Sequence, residues 1–434
     1  MSQLKSARSN QKATSEGISK ISVCGYKSLA NECSIEVRPL TILAGANSSG
    51  KSSIMQPLLL MKQTLEAPYD PGALLIDGPN IRFTSGEQLL SKIPKSNLSD
   101  TFSIKIELDK GRYFKNTFKV KKGIELSETI YSLGGGISIG IHLDMTHEEF
   151  VATPLEAIKP FKAMIENGAR WIAIRDRCFL NQTLSIDRSA IDGFNFSHYF
   201  VLFILKLIHV PSSRRNPERN YRQTAITEFA GTFDNYVASV IHDWQSRKDS
   251  KLKDLNSALT TLGLTRKIET KKIDDIQFEI RVSLTKDRIS NMVSIADVGS
   301  GVSQILPVLV AFIVAEAGQL VYLEEPETHL HPRAQAGLAQ VLADAAQRGV
   351  RVVLETHSDL LIRRIQSLVA EDKLSPELVK LHWFSRDRDG ITQITAADLD
   401  ETGAFGDWPE DFSEVDLQEE SRYLDAAESK LLQR

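Results

Sequence analysis

The stretch "PLTILAGANSSGKSSIMQ", residues 39–56, decides how the rest of the chain is read. An apolar run ends at Gly45, and a short polar loop leads into Ile54, Leu58, Met61 and Leu65 at helical spacing. Glycine costs conformational entropy, so a loop that keeps Gly45 and Gly50 after a buried strand implies a backbone requirement. The run Gly45, Ala46, Asn47, Ser48, Ser49, Gly50, Lys51, Ser52, Ser53 supplies one: backbone amides that wrap a phosphate chain. The positive end of the following helix adds to those amides. Lys51 is expected between β- and γ-phosphate oxygens, and the Ser52 hydroxyl on Mg²⁺. The pattern recurs by chance in unrelated chains; a strand before it and a helix after it set this one apart. Pro57 falls inside the helix and should kink its second turn.

The 434 residues leave room for one large domain with insertions or for two to three domains. A 42% apolar and 25% charged composition is that of an ordinary globular protein. The net charge of −4 excludes a chain that attracts nucleic acid as a whole, so any DNA contact must be local. Cys24, Cys33 and Cys178 have no metal-ligand spacing and fit a reducing cytoplasm. Residues 1–17 are polar and read as a disordered tail. The apolar runs 199–210 and 305–315 fall short of the roughly 20 residues a membrane span needs and read as core.

Residues 18–45 read as two or three strands, and 100–143 alternate as an antiparallel meander. Residues 146–206 look helical, "KLIHV" returns as a strand, and helices over 226–262 precede a strand pair near 266–285. Helix 303–317, strand 319–324, helix 332–347 and strand 350–355 then alternate, which predicts a parallel sheet covered by helices.

Three further segments carry chemistry. "LVYLEEPETHLHP" (320–332) is a buried strand that ends in Glu324 and Glu325, and the carboxyl edge of such a sheet is where ligands sit. One carboxylate can hold the Mg²⁺ hydration shell and the next can activate a water; an acidic turn without function has the same composition. "RVVLETHSDLLIRRI" (351–365) sets His357 at a second strand edge, placed to sense a γ-phosphate, or else merely preceding a helix capped by Ser358 or Asp359. "SIADVGSGVSQILPVLV" (294–310) opens a helix at Ser300 and Gly301, an anion site or a plain cap.

Glycine loop, Ser-Gly helix start, Glu-Glu-Pro and Thr-His-Ser, in that order, resemble the ABC-class P-loop ATPases. The nearest branch is the RecF/SMC-related, OLD-like group called AAA family ATPases, which includes ATPase subunits of antiphage systems such as Septu. The resemblance covers roughly residues 18–95 and 200–365. Lys51 and Glu324 are separated by most of the chain, which favours this head with an insertion over the compact AAA+ module.

The resemblance implies an α/β fold: a mixed sheet flanked by helices, an inserted α+β arm and a short C-terminal cap. The corresponding division is a tail 1–17, a first lobe 18–95, an arm 96–206, a second lobe 207–365 and a cap or docking element 366–434. The implied cofactors are ATP and Mg²⁺, with Ser52 and Glu324 as metal residues, Glu325 as base and Lys51 and His357 in support. Ser300-Gly301 then stands for a degenerate signature that reaches the nucleotide of a second copy, and a homodimer or higher homo-oligomer follows. His331 stands where the family often has aspartate, and Gln88 is the local candidate for its Q-loop glutamine. Arg214 and Arg215 could face phosphate or DNA, or form a solvated turn. A cytoplasmic protein that controls a separately encoded nuclease or effector is expected, with DNA a candidate partner and no membrane. An ATP-gated scaffold, a transporter subunit and a RecF/SMC-type repair ATPase are the alternatives. Asp398, Asp400, Asp407 and Asp411 lie in a segment too short for a nuclease fold of its own.

Overall fold

The computed structural model describes residues 16–92, 100–153, 165–186, 189–191, 195–214, 216–226, 229–283, 291–406 and 421–425. Expectations for residues 1–15, Arg215, Asp407 and Asp411 lie outside the described residues. Glu16 and Gly17 close the expected tail in contact with the fold: the Gly17 amide donates to Asp109 (2.9 Å) and Glu16 accepts from the Tyr199 hydroxyl (2.5 Å).

Two six-stranded sheets organise the molecule. The central one runs Ile208–Val210, Leu320–Glu324, Arg351–Glu355, Leu40–Gly45, Val379–Arg386, Thr392–Ala397. All neighbours are parallel except the last pair, which is antiparallel. The strand "LTILAG" is buried at every position, as a strand covered on both faces requires. Its period-two alternation divides the core. Leu43, Val353 and Tyr322 join one cluster with the helix Lys51–Glu66 and the second sheet. Ile42, Leu354 and Leu323 join the other, under the helices Val237–Arg247, Ser300–Val314, Pro332–Gln347 and Asp359–Ala370.

The second sheet is antiparallel: Cys33–Glu36, Ile18–Cys24, Thr101–Leu108, Tyr113–Val120, Ile124–Ser132, Ser138–Ile141. The expected meander is present, but it pairs directly with the first strand of the chain, Ile21 opposite Ile106. Among the described residues, no break in the sheet separates Thr101–Ser132 from the first strand of the chain.

Helix over 146–206 is a correction. Among the described residues His147–Val151, 165–166 and Ser197–Leu205 are helical, while Arg170–Asp176, Phe179–Ile186 and Ser189–Ile191 form a three-stranded sheet. The cause is tertiary: Trp171 stacks on Phe150 (4.7 Å) and Phe179 packs edge-on against Phe114, so aromatic burial favours the extended backbone. Residues 366–406 also do more than cap the head. Val379–Arg386 lies parallel to the glycine-loop strand, with Phe384 opposite Gly45.

Candidate nucleotide site

The glycine loop joins Leu40–Gly45 to the helix Lys51–Glu66 at the carboxyl edge of the parallel sheet. Its shape depends on two glycines. Gly45 has φ 138° and its ideal Cβ would stand 2.1 Å from the Phe384 carbonyl; Gly50 has φ 106° and Thr392 Oγ1 at 2.5 Å from such an atom. Ser48 also has positive φ, at 62°. Ser49 N donates to Ala46 O (3.3 Å) and Ser53 N to Gly50 O (3.0 Å), which rounds the loop. The loop is braced from the C-terminal strand, where Thr392 Oγ1 donates to Ser49 O (2.7 Å).

Lys51 is buried, and its ammonium donates to Gly45 O (2.8 Å) and Ala46 O (2.9 Å), carbonyls of the loop itself. Burial pulls its pKa down against the attraction of Glu355 and Glu325. Gly45, Ala46, Asn47, Ser48 and Ser49 line a cavity of about 450 Å³ with Thr356, His357 and Arg386. Ser49 Oγ is buried beside it with no partner among the described residues. This orphaned hydroxyl, and an ammonium resting on loop carbonyls, fit an anionic ligand carrying many acceptor oxygens.

Glu325 and His357 meet across the same edge, His357 Nε2 3.7 Å from Glu325 Oε1, both partly exposed. Glu325 sits in left-handed backbone (φ 44°) with its amide donating to Glu355 O (2.9 Å). Burial and Lys51 lower the His357 pKa, and Glu325 opposes them.

Glu324 is turned elsewhere. His209 Nε2 lies 3.2 Å from its Oε1, and Ser212 N donates to Oε2 (3.1 Å). Burial pushes its pKa upward, but His209 and the Ser212 amide outweigh that and leave it below the ordinary value. The carboxylate that meets Ser52 is Glu355, accepting from Ser52 Oγ at 2.8 Å and from the Tyr322 hydroxyl. Burial, with Glu324 nearby, raises Glu355 to about 7. Glu355 and Glu327 are the residues that sequence reasoning missed. Glu327 accepts from Thr356 Oγ1 (2.5 Å) and His357 N (3.0 Å), which fixes the histidine backbone, while its Oε2 is buried without a partner among the described residues. A third acid in "EEPE" and the acid before Thr-His-Ser were the available signals. An oxygen-only set of hydroxyl and carboxylates is the donor chemistry that hard divalent cations take.

Ser300 and Gly301 do not line this cavity. Ser300 is exposed at the start of its helix, and an atom added to Gly301 would meet His329 O at 3.7 Å. His331 is the N-cap of Pro332–Gln347, its Nδ1 accepting from Arg333 N (3.3 Å). Gln88 is exposed and accepts from Thr84 N (2.9 Å). Arg214 does not form a solvated turn. Its guanidinium is buried against the carbonyls of Gln304, Glu324 and Glu325, because three inward-facing acceptors outcompete water for it.

Together these features define a class, an α/β P-loop nucleotide-binding head whose carboxylates and histidine gather at one sheet edge. Within that class, the chain belongs to the family described as "AAA domain, putative AbiEii toxin, Type IV TA system", which matches residues 40–363. No curated protein matches it. Among solved structures it is similar to an SmcHead bound to the C-winged helix domain of ScpA, with 11% identity, 89% of this chain and 98% of the other covered, and a TM-score of 0.49. The SMC head domain from Thermotoga maritima gives 12% identity, 87% and 98% coverage and a TM-score of 0.40. An Smc head domain with an extended coiled coil, bound to the C-terminal domain of ScpA derived from Pyrococcus furiosus, gives 11%, 88% and 97%, and 0.44. The expected fold class, an α/β head with a mixed sheet flanked by helices, is the one found, and the glycine loop follows an inner parallel strand of that sheet. Among the described residues no helix is long and apolar enough to cross a membrane.

Proposed function

We propose that this protein binds and hydrolyses ATP, closes with a second copy around the nucleotide, and so controls a separately encoded effector. The observation that carries the reading is the meeting of Lys51, Ser52, Glu325 and His357 at one carboxyl edge, brought from distant parts of the sequence. Loop amides from Gly45 to Ser53 and the Lys51 ammonium hold the phosphates. Ser52 and a strand-end carboxylate, Glu324 or Glu355, hold Mg²⁺, which when bound supplies charge neutralisation for the β- and γ-phosphates. Glu325 takes the proton of the attacking water, and His357 hydrogen-bonds the γ-phosphoryl oxygens. Ser300-Gly301 approaches the nucleotide of the other copy, and ATP shifts the population toward the closed pair.

The antiphage setting, a nuclease as the effector, DNA as a possible surface and the cytoplasm as location belong to the same reading. The toxin–antitoxin wording of the family description supports a cellular-defence context. A second reading, an ATP-gated scaffold with little turnover, is favoured by His331, which caps its helix where the resembling family often has aspartate.

Calorimetry with ATP and steady-state phosphate release test both. Lys51→Ala abolishes binding with an unchanged nucleotide-free melt. Glu325→Gln keeps binding, loses turnover and accumulates as a dimer on size exclusion with Mg·ATP. Binding by Lys51→Ala at wild-type affinity removes the glycine-loop assignment; turnover by Glu325→Gln at the wild-type rate removes the base.

A further inference from the structure

The segment "IHVPSSRRNPERNYRQ" (208–223) opens with a core strand, and the proposed chemistry leaves its Arg214 without a role. Arg214 Nη1 donates to Gln304 O (3.1 Å), in the first turns of the helix Ser300–Val314. Its Nη2 donates to Glu324 O (3.0 Å) and Glu325 O (3.3 Å), the backbone of the carboxylate turn. The geometry points to Arg214 as a positioning residue that ties the turn carrying Glu325 to the helix opening with Ser300-Gly301. This inference rests on the ATPase reading above.

Three observations converge on it. Glu325 is a non-glycine residue with φ 44°, a conformation that persists only where its surroundings hold it. The Glu325 amide is held by Glu355 O on one side, and its carbonyl by Arg214 on the other. Pro307 lies inside the helix and offers no amide to Ser303 O, so the helix is locally open where Arg214 reaches the next carbonyl. One planar guanidinium thus spans two elements that no backbone hydrogen bond joins at this point. A second copy docking on Ser300-Gly301 pushes on the helix, and Arg214 passes the displacement to the backbone of the proposed base. Closure and proton transfer are thereby coupled through one side chain.

Arg214→Lys is the test, because an ammonium keeps the charge but cannot span three carbonyls on two elements. Turnover falls about 10- to 100-fold, the scale of losing charged hydrogen bonds, while ATP affinity stays at the wild-type value. In hydrogen exchange without nucleotide, segments 300–306 and 324–328 both exchange faster, and the helix after the glycine loop does not. Wild-type turnover in this variant, or faster exchange in only one of the two segments, overturns the inference. A wild type that binds no ATP removes the ATPase reading instead, and the exchange experiment alone then decides the tie. If Arg214→Lys does not fold, wild-type exchange with and without Mg·ATP serves. The two segments must change together, and independent responses overturn the tie.

Discussion

Glu355 closes its strand with a carboxyl group between two hydroxyls, Tyr322 and Ser52, in a nearly water-free position. Burial raises it to about 7 from an ordinary 4.5, so the folded protein holds its proton more tightly than the unfolded chain. The sign follows from proton linkage: this group's contribution to stability is fully present below pH 4.5 and is lost as pH rises through about 7. Glu355→Gln removes that loss. Nucleotide-free melts from pH 4 to 8 should therefore show the variant gaining on wild type across that window, by about 1–3 kcal/mol, and no further change above it. A difference that stays constant with pH would mean that Glu355 titrates normally. Legibility at this scale was uneven. Lys51, Ser52, Glu325 and His357 could be named because each stands in a local pattern. Glu355, although it directly precedes Thr-His-Ser, has no role legible from that position, since it is the pairing of its strand between Leu40–Gly45 and Leu320–Glu324 that brings it to Ser52.

At the scale of elements, the glycine loop is shaped as much by its neighbouring strands as by its own residues. Gly45 has left-handed backbone, and the Phe384 carbonyl occupies the space of any Cβ. Gly45→Ala should accordingly cost about 3 kcal/mol or more of stability, unlike Lys51→Ala, because both the dihedral and the strand contact oppose it. Comparing the melts of the two variants checks this; equal melts would show that the neighbouring strand yields easily. Thr392→Val removes the hydroxyl that donates to Ser49 O and accepts from Ser28 Oγ, both buried. A loss of about 1–3 kcal/mol and weaker ATP binding are expected, read by denaturant titration and calorimetry. The elements around the loop were legible because a fully apolar strand and a helical repeat adjoin at a glycine. The strands at 170–191 were not. Ile172 and Ile174 on the exposed face and Trp171 on the buried face make "WIAI" apolar on both sides, which erases the period-two signal.

For the whole molecule, the C-terminal stretch carries two consequences. Val379–Arg386 lies between the glycine-loop strand and Thr392–Ala397, so a chain ending at Leu378 loses an inner strand and should not fold, as circular dichroism would show. Two of the acids after it, Asp398 and Asp400, are already engaged. Asp398 accepts from Lys380 Nζ at 2.8 and 2.9 Å and pairs with Arg38 at 2.8 Å. Asp400 accepts from Thr402 N (2.8 Å), Thr402 Oγ1 (2.7 Å) and Ala404 N (2.9 Å), which closes its own turn. Carboxylates with such partners hold strands and turns together and have little left to offer a metal. The purified chain is therefore expected to hydrolyse ATP and to leave plasmid, linear and single-stranded DNA intact with Mg²⁺ or Mn²⁺. Cleavage should require a separately encoded partner. The decisive comparison sets wild type beside an Asp398→Asn/Asp400→Asn variant that melts at the same temperature. Metal-dependent cutting by wild type that disappears in the variant would place a nuclease in this segment, whereas cutting by both would place it elsewhere in the chain or in a contaminant.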